Sequence, residues 1–129
     1  MLKKIISIGE LIGIYALIAY ASLTSGDPDA PKLKIFSLPH FDKVVHFIMY
    51  LVLSIAIIRF FRKRNDIHKH LFPKVFILAV TYGGLMEILQ HYCTQNRQAD
   101  WLDMLANTLG VISGYFLMKI IFQNKPISA

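Results

Sequence analysis

Residues 44–61 read VVHFIMYLVLSIAIIRFF, a run whose one full charge, Arg59, stands near its far end. A helix of about 20 residues crosses a hydrocarbon core roughly 30 Å thick. The run is too long for a strand of a small barrel, and it lacks the period-two alternation of one. Three further blocks match it in length and apolarity: Ile5–Leu23, Leu71–Cys93 and Trp101–Phe122. The whole chain, 129 residues, is 55% hydrophobic, and its mean hydropathy is +0.49. Soluble domains are less apolar and spread their apolar residues in short periodic runs. The expectation is an all-α membrane protein: a four-transmembrane-helix bundle with helices at about 5–23, 42–61, 71–92 and 101–122. Residues 1–129 form one domain, since this length permits one bundle.

The formal net charge of +6 would suit nucleic acid if it were gathered on one soluble face, but its placement follows the helix ends instead. Lys3, Lys4, Arg59, Arg62, Lys63, Arg64, Lys69, Lys74, Lys119 and Lys125 fall near one set of ends. The opposite ends carry Lys32, Lys34, Lys43 and Arg97 against Asp27, Asp29, Asp42, Asp100 and Asp103. Cytoplasmic loops retain Lys and Arg, so both termini and the RKRNDIHKH loop are expected in the cytoplasm. The two other loops then face outward, and no nucleic-acid partner is expected. MLKK, an apolar run and AYAS also fit a cleaved secretory leader, but Glu10 and the length of the run favour a retained helix. The single cysteine, Cys93, excludes an intramolecular disulfide.

Local signals refine the helices. Asp42 and Asp100 suit helix N-termini, where a carboxylate caps free N–H groups and meets the positive end of the dipole. Pro73 falls in a first turn, where proline is tolerated. Tyr92 and Trp101 stand where interfacial aromatics belong. Gly110 and Gly114 form a GxxxG pattern that lets two helices approach closely. The pattern suits packing inside the bundle; the alternative is a homo-oligomer through Gly110 and Gly114. Glu10, near the cytoplasmic side, is expected to pair with Lys119 or Lys74.

Polar groups in lipid are costly, so they face the bundle interior and often carry function. Asp42, His46 and Tyr50 share one face of the second helix, and Glu87, Gln90 and His91 cluster on the third. Asp100, Asp103, Asn107, Gly110 and Gly114 follow one face of the fourth. By helical rise, His46, Glu87 and Asn107 lie at a common depth, roughly 6–10 Å below the outer surface. Three helices thus bring polar groups to one level. Bland roles exist for each: Asp42 as a cap, His46 as a bonded core histidine, Asn107 and Gln90 as helix bridges, Arg97 as a lipid-phosphate contact. Glu87 is the hardest to dismiss, because it needs a partner or a proton.

These same residues resemble the VanZ-like family of small bacterial membrane proteins. DKVVHFIMY at 42–50, EILQHY at 87–92 and RQADWLDMLANTLGVISGY at 97–115 fill its pattern: D-K-x-x-H-F, then E-x-x-Q, an outer-loop arginine, and D-x-x-x-N-x-x-G. Asp42, Lys43, His46, Phe47, Glu87, Gln90, Arg97, Asp103, Asn107 and Gly110 occupy those positions. Tyr92 stands where phenylalanine is common, and CTQN precedes Arg97 in place of a Pro-Gly. The resemblance implies a multi-pass protein of the bacterial inner (cytoplasmic) membrane, and one member of the family is linked to teicoplanin (glycopeptide) resistance.

Two functions fit. In the first, an outward-facing pocket of Asp42, Lys43, His46, Tyr50, Glu87, Gln90, Arg97, Asp103 and Asn107 binds a membrane lipid or a lipid-linked envelope precursor by its headgroup. Arg97 and Lys43 would meet an anionic group, while Asn107 and Gln90 supply directional hydrogen bonds. In the second, the protein is an enzyme that hydrolyses or transfers a phosphate or acyl group on a lipid-linked substrate. His46 beside Glu87 would be its general base, oriented by Asp103. A divalent metal on His46, Glu87 and Asp103 is conceivable, but no ligand-spacing motif such as HExxH is present, so neither a metal nor another cofactor is expected. A channel is disfavoured, because polar groups confined to one half trace no path across the membrane.

The charge asymmetry makes a direct prediction. A reporter that works only in the cytoplasm should be active when fused after Lys125 or within residues 62–70, and silent when fused within residues 25–38. The reverse pattern would invert the orientation.

Overall fold

A computed structural model describes residues 2–24, 39–64, 70–93 and 100–122, with side chains from Ser7 onward. The expected loop segments 25–38, 65–69 and 94–99, the last containing Arg97, and the stretch 123–129 lie outside the described residues. Four helices make up what is described: α1 (Leu2–Thr24), α2 (Phe41–Lys63), α3 (Leu71–Cys93) and α4 (Trp101–Phe122). All four are long and apolar enough to cross a membrane. The chain is a multi-pass, four-helix membrane protein. Each helix matches its expected span to within three residues.

Direction follows from which ends meet. Lys43 at the start of α2 bonds Asp103 at the start of α4, and Arg62 at the end of α2 lies over the Phe122 ring at the end of α4, 3.6 Å from its centroid. These two helices are therefore parallel. Phe72 in the first turn of α3 meets Tyr115 late in α4, centroids 4.7 Å apart, so α3 runs the opposite way. Glu10 of α1 reaches Arg59 and Lys63 late in α2, each at 3.2 Å, so α1 is antiparallel to α2. The topology is up-down-up-down.

α2 and α4 share the most extensive contact, and α1 packs on α2 and α3. Two glycines explain the first pairing. A Cβ on Gly110 would run into the backbone of α2 at Phe47 and Leu51, and one on Gly114 into Ser54 and the Leu51 carbonyl. The close approach that GxxxG permits is thus made within the chain, α4 against α2.

Side chains are sorted in the sense opposite to a soluble bundle. Val44, Ile48 and Val52 on α2, Ile77, Leu85 and Ile88 on α3, and Leu105, Leu109 and Phe116 on α4 point outward. Serines, His46, Glu87, Gln90, Asp103 and Asn107 are buried beside the apolar core of Tyr50, Leu53, Ile57, Val75 and Val111. In lipid the apolar surface costs nothing, while polar groups gain by facing one another.

α1 is fastened by polar ties at three levels. Glu10 takes Arg59 and Lys63 as partners rather than the expected Lys119 or Lys74, because α1 lies against α2. Tyr82 Oη donates to the Tyr15 carbonyl at 2.5 Å, and Gln90 Nε2 donates to the Ser22 carbonyl at 2.8 Å. Helix carbonyls keep a second lone pair for such bonds.

The glycines separate two kinds of site. Gly110→Ala and Gly114→Val should each destabilise the bundle by about 1–3 kcal/mol through overpacking, whereas Gly9→Ala and Gly13→Ala, where an added Cβ meets nothing within 4 Å, should be neutral. Thermal unfolding in detergent measures the difference.

Candidate functional site

Both α2 and α4 begin at the same end of the bundle. Their first turns expose N–H groups and the positive ends of two helix dipoles, which favour carboxylates. Asp100 meets that demand as the N-cap of α4: its Oδ1 accepts from Leu102 N–H at 2.9 Å, and its carbonyl accepts from Asp103 N–H at 3.0 Å. α2 starts differently from the expectation. His40 holds the N-cap position in the left-handed region (φ 63°) and makes no side-chain cap bond, while Asp42 falls inside the first turn. Asp42 is two residues past the N-cap position, and its carboxylate bonds Lys43.

Lys43 is the hub of this end. Its Nζ donates to Asp42 Oδ2 at 2.8 Å, Asp100 Oδ2 at 2.5 Å and Asp103 Oδ1 at 2.6 Å. An ammonium has three N–H donors, and three carboxylates take them. One turn deeper, His46 Nδ1 stands 3.0 Å from Asn107 Oδ1; an amide oxygen only accepts, so Nδ1–H donates in this arrangement. The other ring nitrogen, Nε2, faces Asp103 Oδ2 at 3.8 Å. From α3, Glu87 Oε1 comes within 4.0 Å of His46 Nδ1. Deeper still, Gly83 lets the Tyr50 ring and Asn107 Nδ2 approach the α3 backbone, where a Cβ would stand 3.2 Å from each.

The inner part of the cluster is enclosed. His46, Asp103 and Asn107 are at most 3% exposed, Glu87 7% and Tyr50 0%. Tyr50 Oη and Asn107 Nδ2 are buried with no hydrogen-bond partner among the described residues. Burying such groups without partners costs about 1–3 kcal/mol each, so their presence is a cost that packing alone does not require.

Asp42, Lys43, His46, Tyr50, Glu87, Asp103 and Asn107 thus converge as α2, α3 and α4 pack. Gln90 is buried too, but its amide donates to α1 at Ser22, tying helices together beside the cluster. Arg97 lies outside the described residues. His91 is exposed on the rim, its ring edge-on to Tyr92. Asp100 was expected only as a cap; its second role, as a partner of Lys43, has a sequence signal in its three-residue spacing from Asp103 on the face that meets α2. Two cavities in the bundle lie elsewhere. One opens beside Arg62, Tyr115 and Lys119 at the opposite end, and the other is an apolar groove along Tyr15, Ile77 and Tyr82.

Comparison with known proteins gives one positive result. The family model described as VanZ/LLP1 matches residues 4–122, nearly the whole chain. No curated protein and no solved structure matches it.

The Lys43 hub yields a stability test. Removing one partner of a buried ion pair costs about 3–5 kcal/mol; with Asp42 and Asp100 partly exposed, Lys43→Met should fall at the lower end, about 3 kcal/mol. Adding Asp103→Asn should recover part of that loss, since it removes the most deeply buried of the stranded carboxylates. A double-mutant cycle on melting temperature reads the coupling.

Proposed function

The chain belongs to the VanZ/LLP1 family, and from that premise we propose that it is an envelope protein of the bacterial inner membrane that binds a lipid or lipid-linked precursor by its headgroup. The observation that supports this reading is the buried polar cluster of α2, α3 and α4 inside a bundle whose outer surface is apolar. Such a cluster is expensive in lipid, and structural needs account for only part of it. Tyr50 Oη and Asn107 Nδ2 offer hydrogen bonds to a bound group. The headgroup enters from the end where α2 and α4 begin, which the charge asymmetry assigns to the outer leaflet.

The geometry refines the chemistry of the ligand. Lys43 spends its three donors on Asp42, Asp100 and Asp103, so an anionic group would have to displace a carboxylate to reach it. The carboxylates favour a headgroup with hydroxyl or ammonium donors, and the Asn107 amide N–H needs an acceptor on it, such as a hydroxyl or carbonyl oxygen. A link to glycopeptide (teicoplanin) susceptibility would follow if that headgroup belongs to a cell-wall precursor.

An enzyme acting on a lipid-linked phosphate or acyl group is the second reading, and one feature favours it. His46 stands between two buried carboxylates, at 4.0 Å from Glu87 and 3.8 Å from Asp103. A histidine so placed can take up a proton and have its charge stabilised.

One comparison separates the two. Glu87→Gln and His46→Ala, checked first for folding, are assayed in nanodiscs for retention of native lipid and for turnover of lipid-linked phosphates and esters. Headgroup binding predicts affinity losses of about 10-fold or more, equivalent to at least about 1.4 kcal/mol, with no product from the wild type. Turnover by the wild type that both variants abolish would establish the enzyme instead. Undiminished lipid retention in both variants would overturn the binding site.

A further inference from the structure

We propose that His46, Glu87 and Asp103 form a binding site for one divalent cation, zinc or manganese, between α2, α3 and α4. The inference rests on the reading of this cluster as the functional site, and it revises the expectation of no metal. That expectation came from the absence of a linear ligand motif. Here each helix contributes one ligand, so the three residues, conceivable as a set from the sequence, carry no ligand-spacing signature there.

The first argument is geometric. One ligand atom from each of the three residues lies within 4.8 Å of the other two. Some point therefore lies within roughly 2.8 Å of all three, and zinc–ligand distances of about 2.0–2.2 Å need side-chain movements under about 1 Å. His46 Nε2 and Asp103 Oδ2 stand 3.8 Å apart, too long for a direct hydrogen bond and within the roughly 3–4 Å that separates two atoms bound to a common ion. Glu87 enters from α3, its Oε1 4.0 Å from the other ring nitrogen, Nδ1.

The surrounding shell orients the ligands. His46 Nδ1 is engaged with Asn107 Oδ1 at 3.0 Å, which directs the lone pair of the neutral ring to Nε2, facing Asp103. Metal-bound histidines commonly have their second nitrogen held in this way. Asp103 is held likewise, with Oδ1 on Lys43 at 2.6 Å and Oδ2 toward the imidazole.

Charge and unsatisfied groups complete the case. A second triad of carboxylates, Asp42, Asp100 and Asp103, also stands close enough to share a cation, and there Lys43 supplies the positive charge. The His46 triad sets an imidazole and two buried carboxylates around a common point. One nitrogen and two oxygens suit zinc or manganese better than calcium or copper(I). Three protein ligands leave a coordination position open for an oxygen ligand. Tyr50 Oη and Asn107 Nδ2, buried and without hydrogen-bond partners among the described residues, lie in the same part of the bundle: Asn107 bonds His46 through its other amide atom, and the Tyr50 ring and Asn107 Nδ2 both approach Gly83.

The test uses the full chain in detergent, stripped with chelator and titrated with Zn²⁺ or Mn²⁺ alone. One equivalent bound per chain by elemental analysis, with a rise in melting temperature, is expected. Glu87→Gln and Asp103→Asn should each weaken binding by more than the about 10–100-fold typical of an outer-shell partner. His91→Ala and Cys93→Ala, which remove exposed donors outside the cluster, should leave it unchanged. X-ray absorption of the zinc-loaded wild type keeps the proposal testable if the ligand variants do not fold. One imidazole with oxygen neighbours supports it, and several imidazoles or a sulfur neighbour overturn it. Sub-stoichiometric metal, or affinity unmoved in folded ligand variants, also overturns it and leaves a proton as the neutralising charge. Lipid retention measured in chelator keeps the two ideas apart: headgroup binding without metal sinks the cation site alone, and stoichiometric metal without headgroup binding sinks only the lipid reading.

Discussion

The close, parallel contact of α2 and α4 governs the rest of the structure. Gly110 and Gly114 remove the side chains that would hold the two backbones apart, and the pairing then proceeds at a nearly constant offset. Lys43 meets Asp100 and Asp103, His46 meets Asn107, and these pairs are 57, 60 and 61 residues apart. Because the helices are parallel, two N-terminal dipoles and three aspartates share one end. The ammonium of Lys43 makes that concentration of negative charge tolerable. α3 then closes the site by bringing Glu87 to His46, with Gly83 leaving room for Tyr50 and Asn107.

Burial in this bundle runs against the habits of soluble proteins. Large aliphatic side chains cover the outside of every helix, so the hydrophobic effect places the helices in the membrane but gives them little reason to choose one another. Choice of partner falls to small residues and polar bonds. Glycines select α2 for α4, the bonds of Tyr82 and Gln90 to helix carbonyls select α1 for α3, and Glu10 selects α2 for α1. The serines and the polar cluster occupy the interior that leucine and phenylalanine would fill elsewhere.

Much of the candidate site was legible, and the parts that were not share a cause. His46, Glu87 and Asn107 could be set at one depth because rise per residue is fixed in a helix. Their faces could be matched because polar side chains avoid lipid. The occupancy of Lys43 could not be read this way. Snorkelling to an interface and binding carboxylates on a second helix look identical in one segment, and only the α2–α4 register distinguishes them. Glu10 shows the same limit: its level was inferred correctly, while its partners depended on which helix lies alongside. Gln90 shared a helix face with Glu87, yet it points to α1.

The sequence by itself determined that four apolar helices cross a membrane, where each begins and ends to within three residues, the family resemblance, and which polar residues must seek the interior. These are properties of single segments, set by length, hydropathy and helical periodicity, and they need no knowledge of neighbours. Only the tertiary structure decided that three aspartates surround one lysine and that His46, Glu87 and Asp103 converge within 4.8 Å. Convergence depends on the rotation and offset of separate helices. Those are fixed by a few glycines and interhelical hydrogen bonds acting together, so no one stretch of the chain encodes them.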